Sequence, residues 1–316
     1  MLQRTIDGIL ALPSPVPVHV VVVGDGEDIH VRGHLRVSTV STLKRLGVAA
    51  ARNLGALLAP PGGILVFTDG HVAFSPNYIR TLLESDIAAT GGVRGCRVAI
   101  TKDMDFHGAA LDGTKPLNEA VYSYAGWRLA NDLNTVAVQV KEGQGWGEVP
   151  FVGGCCLAIM ASEFKKFDGF DGGLVGFGSG EDMELCCRVW GAGRRVLATD
   201  AALVWHYTEP RTTRDIAAVP LAPLDPDRYS GETYNKIRVF CTCFDRDAVY
   251  ALCRRTAVGQ PHEDVFWEIT KRKETLLRRQ VVENGFVRKY NPEAIRTTLF
   301  SVMRGHTPGE YAGFVG

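Results

Sequence analysis

What the chain lacks first is an excess of charge of either sign: Lys+Arg 35 are matched by Asp+Glu 35, for a formal net charge of +0. Without surplus Lys and Arg there is no global field to neutralise phosphates, which argues against a dedicated nucleic-acid binder. Long hydrophobic runs are missing too. The most apolar short run, Val18 to Val23, falls far below the ~18–20 residues of a membrane span. No basic start leads into a long apolar core, because Pro13, Pro15 and Pro17 interrupt the N-terminal region, so a signal peptide is not expected. A disulfide framework is absent as well. Of 8 cysteines in 316 residues, Cys155–Cys156 and Cys186–Cys187 are sequence neighbours, a layout that suits reduced, buried thiols in a cytoplasmic protein. Cys241-x-Cys243 with Cys253 and His262 fits no standard zinc spacing. What remains, with 46% hydrophobic and 22% charged residues, is an ordinary globular composition.

The first half alternates helix-like and strand-like segments. Leu2, Ile6, Ile9 and Leu10 recur at helical spacing, so Leu2 to Leu12 is expected to be a helix. The β-branched run Val18 to Val23 reads as a strand covered on both faces and ends in Gly24-Asp25-Gly26. Leu35 to Val40 is a weaker strand, Leu43 to Leu58 a helix stopped by Pro60-Pro61-Gly62-Gly63, and Ile64 to Thr68 a buried strand ending in Asp69-Gly70-His71. This β-α-β-α rhythm predicts an α/β layered sheet, in which ligands bind beyond the carboxyl ends of the strands. Asp25, Asp69 and His71 stand at such ends.

Further on, Gly91 to Ile100 reads as strand and turn, and Lys102 to Gly147 as irregular. The irregular stretch carries Tyr122, Tyr124, Trp127 and Trp146, which suit either a stacking platform for a sugar or aromatic group, or packing. Phe151 to Met160 reads as a strand containing Gly153-Gly154, Glu181 to Gly193 as a helix, and Arg195 to Ala198 and Ala202 to Trp205 as two short strands ending at His206. Beyond Thr208 the composition shifts toward helices, among them one with a basic face at Lys271-Arg272-Lys273 and Arg278-Arg279.

Four constellations can carry chemistry. Phe67-Thr68-Asp69-Gly70-His71 presents a carboxylate and an imidazole that can share a divalent ion, although Asp-Gly is also common turn chemistry. Gly178-Ser179-Gly180-Glu181-Asp182-Met183-Glu184 feeds a helix whose first turn is acidic, which suits either a general base or the helix dipole. His206 ends an apolar strand and extends the ligand set. Arg52, on the small-residue helix Gly47-Val48-Ala49-Ala50-Ala51-Arg52-Asn53, needs an anion, and a nucleotide phosphate is one option. The mixed imidazole and carboxylate donors of Asp69, His71 and His206 suit a transition ion better than magnesium.

As an ordered set, these segments resemble the family 2 glycosyltransferases of the GT-A fold. Phe67 to His71 and Val152 to His206 are also similar to the catalytic domain of polypeptide N-acetylgalactosaminyltransferases. The resemblance implies a Rossmann-like mixed sheet flanked by helices over residues 1–207, with a mainly helical extension over 208–316. It implies that Asp25 accepts the uracil N3–H, that Arg52 lies beside the nucleotide, and that Asp69, His71 and His206 hold manganese on the diphosphate. Gly153 and Gly154 would let sugars approach the backbone. Asp182 would deprotonate the acceptor, with Glu181 or Glu184 placing hydroxyls, and Arg211 would cover the diphosphate. The family's opening strand of V-S-V-V-I-P type has no counterpart here, so the first strand is expected to be missing.

The activity so implied is metal-dependent transfer of a sugar from a UDP-sugar to an acceptor hydroxyl or thiol, with inversion. A retaining enzyme and a sugar-nucleotide-binding module without turnover are the alternatives. A nucleotidyltransferase lacks the glycine-rich phosphate loop that it needs near the start. The acceptor is open among small molecules, peptides and glycans.

Overall fold

The computed structural model describes residues 1–207 except 61, 102–121, 130–134, 142, 144 and 175–179, together with Asn235, Val239 and Cys243. For 122, 128–129, 135–136 and 191 only the backbone is described. Arg211, the basic face at 271–279 and nearly all of the expected C-terminal helices lie outside the described residues. No helix among the described residues is long and apolar enough to cross a membrane.

The first helix, α1 (Leu2–Ala11), forms where the apolar spacing predicts it and buries Ile6. It stops where Leu12 turns extended ahead of Pro13, because a residue before proline is driven out of the helical region. The valine run becomes β1 (Val20–Gly24), which pairs in parallel with β2 (Val37–Ser41) as a two-stranded sheet. Cover on both faces was expected, yet only Val22 and Gly24 of β1 are buried. Helix α2 (Val48–Leu57) begins five residues later than the apolar pattern suggests. The backbone turns at Gly47, with φ 94°, and the Asp25 carboxylate takes the amides of Leu46 and Gly47.

Among the described residues the main sheet has seven strands. β3 (Ile64–Thr68), β10 (Cys156–Met160), β5 (Val93–Thr101), β11 (Val196–Tyr207) and β4 (Val72–Phe74) lie side by side in that order. β6 (Tyr122–Tyr124) pairs with β5, and β9 (Trp146–Glu148) with β11. Only β5 and β11 run parallel; the other pairs are antiparallel, so the sheet is mixed. β7 (Gly126–Leu129) and β8 (Thr135–Val138) form a separate antiparallel pair, so the described part of the stretch expected to be irregular is mostly short strands. The two short strands expected before His206 are one strand, β11, whose register with β5 shifts between Thr199 and Leu203. A bulge of that kind lets one strand continue through a break in its alternation.

Helices cover both faces. α3 (Tyr78–Glu84) and α4 (Ile87–Thr90) are short, and α5 (Ala161–Lys166) follows β10 directly. α6 (Glu181–Gly191) packs through Leu185, Cys186, Val189 and Trp190, each no more than 2% exposed. Because side chains alternate across a strand, Leu157 and Ile159 of β10 join the core under α6 while Cys156 and Ala158 join the core on the other face. Each such buried aliphatic side chain contributes about 1.5–3 kcal/mol of hydrophobic stabilisation.

Register fixes which loops meet. Thr68 is paired with Cys156, so Asp69, just past β3, lies at the same edge as Gly153–Cys155, just before β10. His206 is paired with Val72 across β11 and β4, which sets it beside His71. Thr5 of α1 holds this edge in place: its hydroxyl is 3.1 Å from the Gly70 carbonyl and 3.0 Å from that of Val72.

Candidate active site

The short turn Asp69-Gly70-His71 and the end of β11 bring one carboxylate and two imidazoles together. Ligand atoms of Asp69, His71 and His206 all lie within 4.8 Å of one another, and the two rings are 4.8 Å apart between centroids. Nε2 of His206 is 3.1 Å from Oδ2 of Asp69. Nδ1 of His206 is buried with no hydrogen-bond partner among the described residues, so one ring nitrogen is uncommitted. Burial acts to raise the Asp69 carboxyl, but the His206 hydrogen bond, Arg52 and the neighbouring imidazoles outweigh it. The group is therefore held well below the usual carboxylate range and is ionised at any neutral pH. An ionised carboxylate with two imidazoles at this spacing fits a divalent transition ion.

A second charged group adjoins the first. Arg52, on α2, puts Nη2 2.9 Å from Oδ1 of Asp69 and Nη1 2.5 Å from Oε1 of Glu181. The anion that a buried Arg52 requires is thus supplied by two protein carboxylates. These same charges hold its guanidinium protonated against the opposing effect of burial. Glu181 is 8% exposed in its side chain and committed to Arg52.

Asp182, the next residue, points elsewhere. Its Oδ2 accepts the Gly154 amide at 2.8 Å, and Oδ1 accepts its neighbour Met183's amide at 2.7 Å. Burial and then the Glu181 charge push its carboxyl up to about 7, against those two amides and Arg52. A carboxyl titrating near neutrality beside a cationic site has the properties of a general base. Glu184 does not share this site. It is fully buried in an ion pair with Arg188, at 2.5 Å, on the core side of α6.

Gly153 and Gly154 lie in the turn before β10, not inside the strand. A Cβ on Gly154 would stand 2.6 Å from Arg52 Nη1, and one on Gly153 would stand 2.9 Å from the Tyr124 hydroxyl. A side chain at either position would therefore force Arg52 or Tyr124 to shift. Tyr124 is 5% exposed and stacks on Trp127 at 4.2 Å, whereas Trp146 faces Arg94. Of the aromatics singled out in the sequence, Tyr124 is thus core and not an open stacking surface.

Asp25 stands apart from the charged cluster but opens onto it. A cavity of about 800 Å³ is lined along β1 as far as Asp25, by the start of α2, and by Thr68, Asp69 and Gly70. That volume is in the range of small-molecule sites, and it joins Asp25 to Asp69. Both Asp25 oxygens already hold the α2 entry amides, at 2.6 and 2.9 Å. Sequence reasoning assigned no role to Asn53 or Arg188. Asn53 was within reach, since an amide beside a buried arginine on an alanine-rich helix must also find partners.

The mixed sheet and its flanking helices are those of the GT-A fold. The family model described as "Glycosyltransferase like family 2" matches residues 1–219, and the chain belongs to that family. No curated protein sequence matches it. Among solved structures, it is similar to GalNAc-T7 with UDP, GalNAc and Mn2+, with TM-score 0.64 and 17% identity over 97% of this chain and 55% of that one. The chain thus spans about half the length of that relative. It is also similar to S. aureus TarS 1-349 in complex with UDP-GlcNAc, with TM-score 0.52 and 12% identity over 97% of this chain and 89% of that one.

Proposed function

We propose that the chain is a metal-dependent, inverting glycosyltransferase that moves a sugar from a UDP-sugar to an acceptor hydroxyl or thiol. The observation that carries this reading is the pairing of a three-ligand cluster (Asp69, His71, His206) with a neutral-range carboxyl (Asp182) across one buried arginine. Asp69, His71 and His206 would hold a manganese ion, which would supply positive charge toward a diphosphate leaving group. Asp25, at the far end of the shared cavity, receives the base of the nucleotide.

Asp182 then takes the acceptor proton as the acceptor oxygen or sulfur attacks the anomeric carbon. Its raised affinity for a proton suits that step, and the Gly154 amide orients the carboxylate. Arg52 balances Asp69 and Glu181 so that the site remains ionised around the substrate. Residues 1–207 form the catalytic unit, and Arg211 lies outside the described residues. Six described cysteines are all free and buried, which is consistent with a cytoplasmic setting.

The test is incubation with UDP-sugars, Mn2+ and a panel of small-molecule, peptide and glycan acceptors, with products read by mass spectrometry. Metal-dependent release of UDP with a glycosylated product is expected. UDP and Mn2+ binding with no turnover across the panel replaces this reading with a binding module.

A further inference from the structure

Two consecutive residues of α2 grip two separate places. Arg52 reaches Glu181, at the start of α6, and Asn53 reaches Phe170. Neighbours on a helix point ~100° apart, so adjacent residues can reach different partners. Asn53 makes a double bond of the type that strands exchange. Its Nδ2 donates to the Phe170 carbonyl at 2.8 Å, and its Oδ1 accepts the Phe170 amide at 2.8 Å. The approach is so close that Gly169, at φ 73°, could carry no Cβ, which would lie 2.6 Å from Oδ1.

The same turn is held from α6. Arg188 donates to the carbonyls of Phe167 and Gly169, the latter at 2.7 Å, while its partner Glu184 accepts the Asp171 amide. The main chain of 167–171 is thus fastened to α2 on one side and α6 on the other by side chains that are themselves buried or half-buried. Asp182 is one residue past the second grip. Its carboxylate meets the Gly154 amide, which comes from a third element, the turn before β10.

We infer that Asn53 is a positioning residue for Asp182: Asn53 and Arg188 clamp the 167–171 turn between α2 and α6, and with the Arg52–Glu181 bridge this sets where the Asp182 carboxylate meets Gly154. The inference rests on the glycosyltransferase reading for its kinetic consequence only. Misplacement of a reacting group by about 1 Å, from a change far from the chemistry, lowers rates by about 10²-fold.

The experiment compares the full chain with Asn53→Ala and Asn53→Asp, the second keeping shape and the acceptor but losing the donor to the Phe170 carbonyl. Amide hydrogen exchange is followed at Phe170 and at Gly154, which Asn53 does not touch. Exchange is expected to quicken at both sites by about tenfold or more. UDP affinity with Mn2+, by calorimetry, stays within about threefold, and kcat falls by about 10–10²-fold. Unchanged exchange at Gly154 makes Asn53 a local fastener of Phe170 and overturns the inference, as does an unchanged kcat in a variant that turns over. If Asn53→Ala does not fold, Asn53→Asp decides by the same readings. A native chain that transfers no sugar defeats the glycosyltransferase reading, and the Gly154 exchange still decides this one.

Discussion

Nη1 of Arg52 stands 2.5 Å from Oε1 of Glu181, with side chains 11% and 8% exposed, and the same guanidinium holds Asp69 at 2.9 Å. One cation therefore ties the start of α6 to the turn after β3. Removing one partner of a buried ion pair leaves the other charge uncompensated, at a cost of about 3–5 kcal/mol. Arg52→Ala is expected to fall in that range by denaturant unfolding and to weaken Mn2+ binding. Glu181→Gln, which keeps a hydrogen bond to Arg52, is expected to cost less. Equal stability of Arg52→Ala and the native chain would show that the bridge does not act as described.

Loss of a metal ligand is expected to show in binding before it shows in turnover. Asp69→Ala, His71→Ala and His206→Ala should each weaken Mn2+-dependent UDP binding by about 10²-fold or more, beyond what second-shell changes cost. Calorimetry with and without Mn2+ measures this. UDP affinity measured without metal should change far less for His71→Ala than the affinity measured with it.

The raised Asp182 carboxyl predicts a rising pH profile. The base works only when deprotonated, so transfer should climb through a midpoint near 7 and level off above it. Asp182→Asn keeps shape but accepts no proton, and should lower kcat by about 10²–10⁴-fold with UDP-sugar affinity little changed. Glu181→Gln should do less to the chemical step. Near-normal transfer by both variants would remove the carboxylate base and point to a retaining enzyme.

The same group should make the protein less stable as pH rises. The folded value lies above the ordinary carboxylate range, so between about pH 4 and pH 7 the folded state binds more protons than the unfolded one. Stability contributed by this site is present below that window and is lost as pH rises through the folded value. Asp182→Asn abolishes that slope, so its Tm relative to the native chain should improve from pH 4 to pH 7. An unchanged Tm difference across the window would contradict the raised value.

Gly154→Ala tests the packing role of the turn before β10. A Cβ there meets Arg52 Nη1 at 2.6 Å and Glu181 Oε1 at 3.1 Å, so the bridge must shift. Overpacking of this kind costs about 1–3 kcal/mol, and transfer should fall with it. Native-like stability and rate would mean that the bridge can move aside.

Local chemistry made much of the fold legible. Apolar spacing in Leu2 to Ala11, the valine run at β1, the Asp-Gly turn after β3 and the acidic start of α6 all lie where the pattern predicts them. Each is decided within a few residues, by backbone sterics, side-chain periodicity and the helix dipole. Their alternation predicts a layered α/β sheet, whereas its mixed strand directions do not follow from it. Boundaries were less legible: α2 starts late because of Gly47, and Gly153–Gly154 belong to a turn, since packing and positive φ decide those ends.

Partnerships are not encoded in the local pattern: the resemblance groups Asp69, His71 and His206 but does not pair Arg52 with Glu181. His206 meets Asp69 across 137 positions, and Arg52 meets Glu181 across 129. Those contacts depend on the register of β10 against β3 and of β11 against β4, and a shift of one residue would turn the side chains to the other face. The sequence by itself determined which residue types stand at the strand ends and at the first turn of α6. Only the tertiary structure decided that Arg52 answers two protein carboxylates, that Glu184 is core while Asp182 meets Gly154, and that Tyr124 packs inside. The physical reason is that charge pairing and burial are settled by distances through space, which no local pattern encodes.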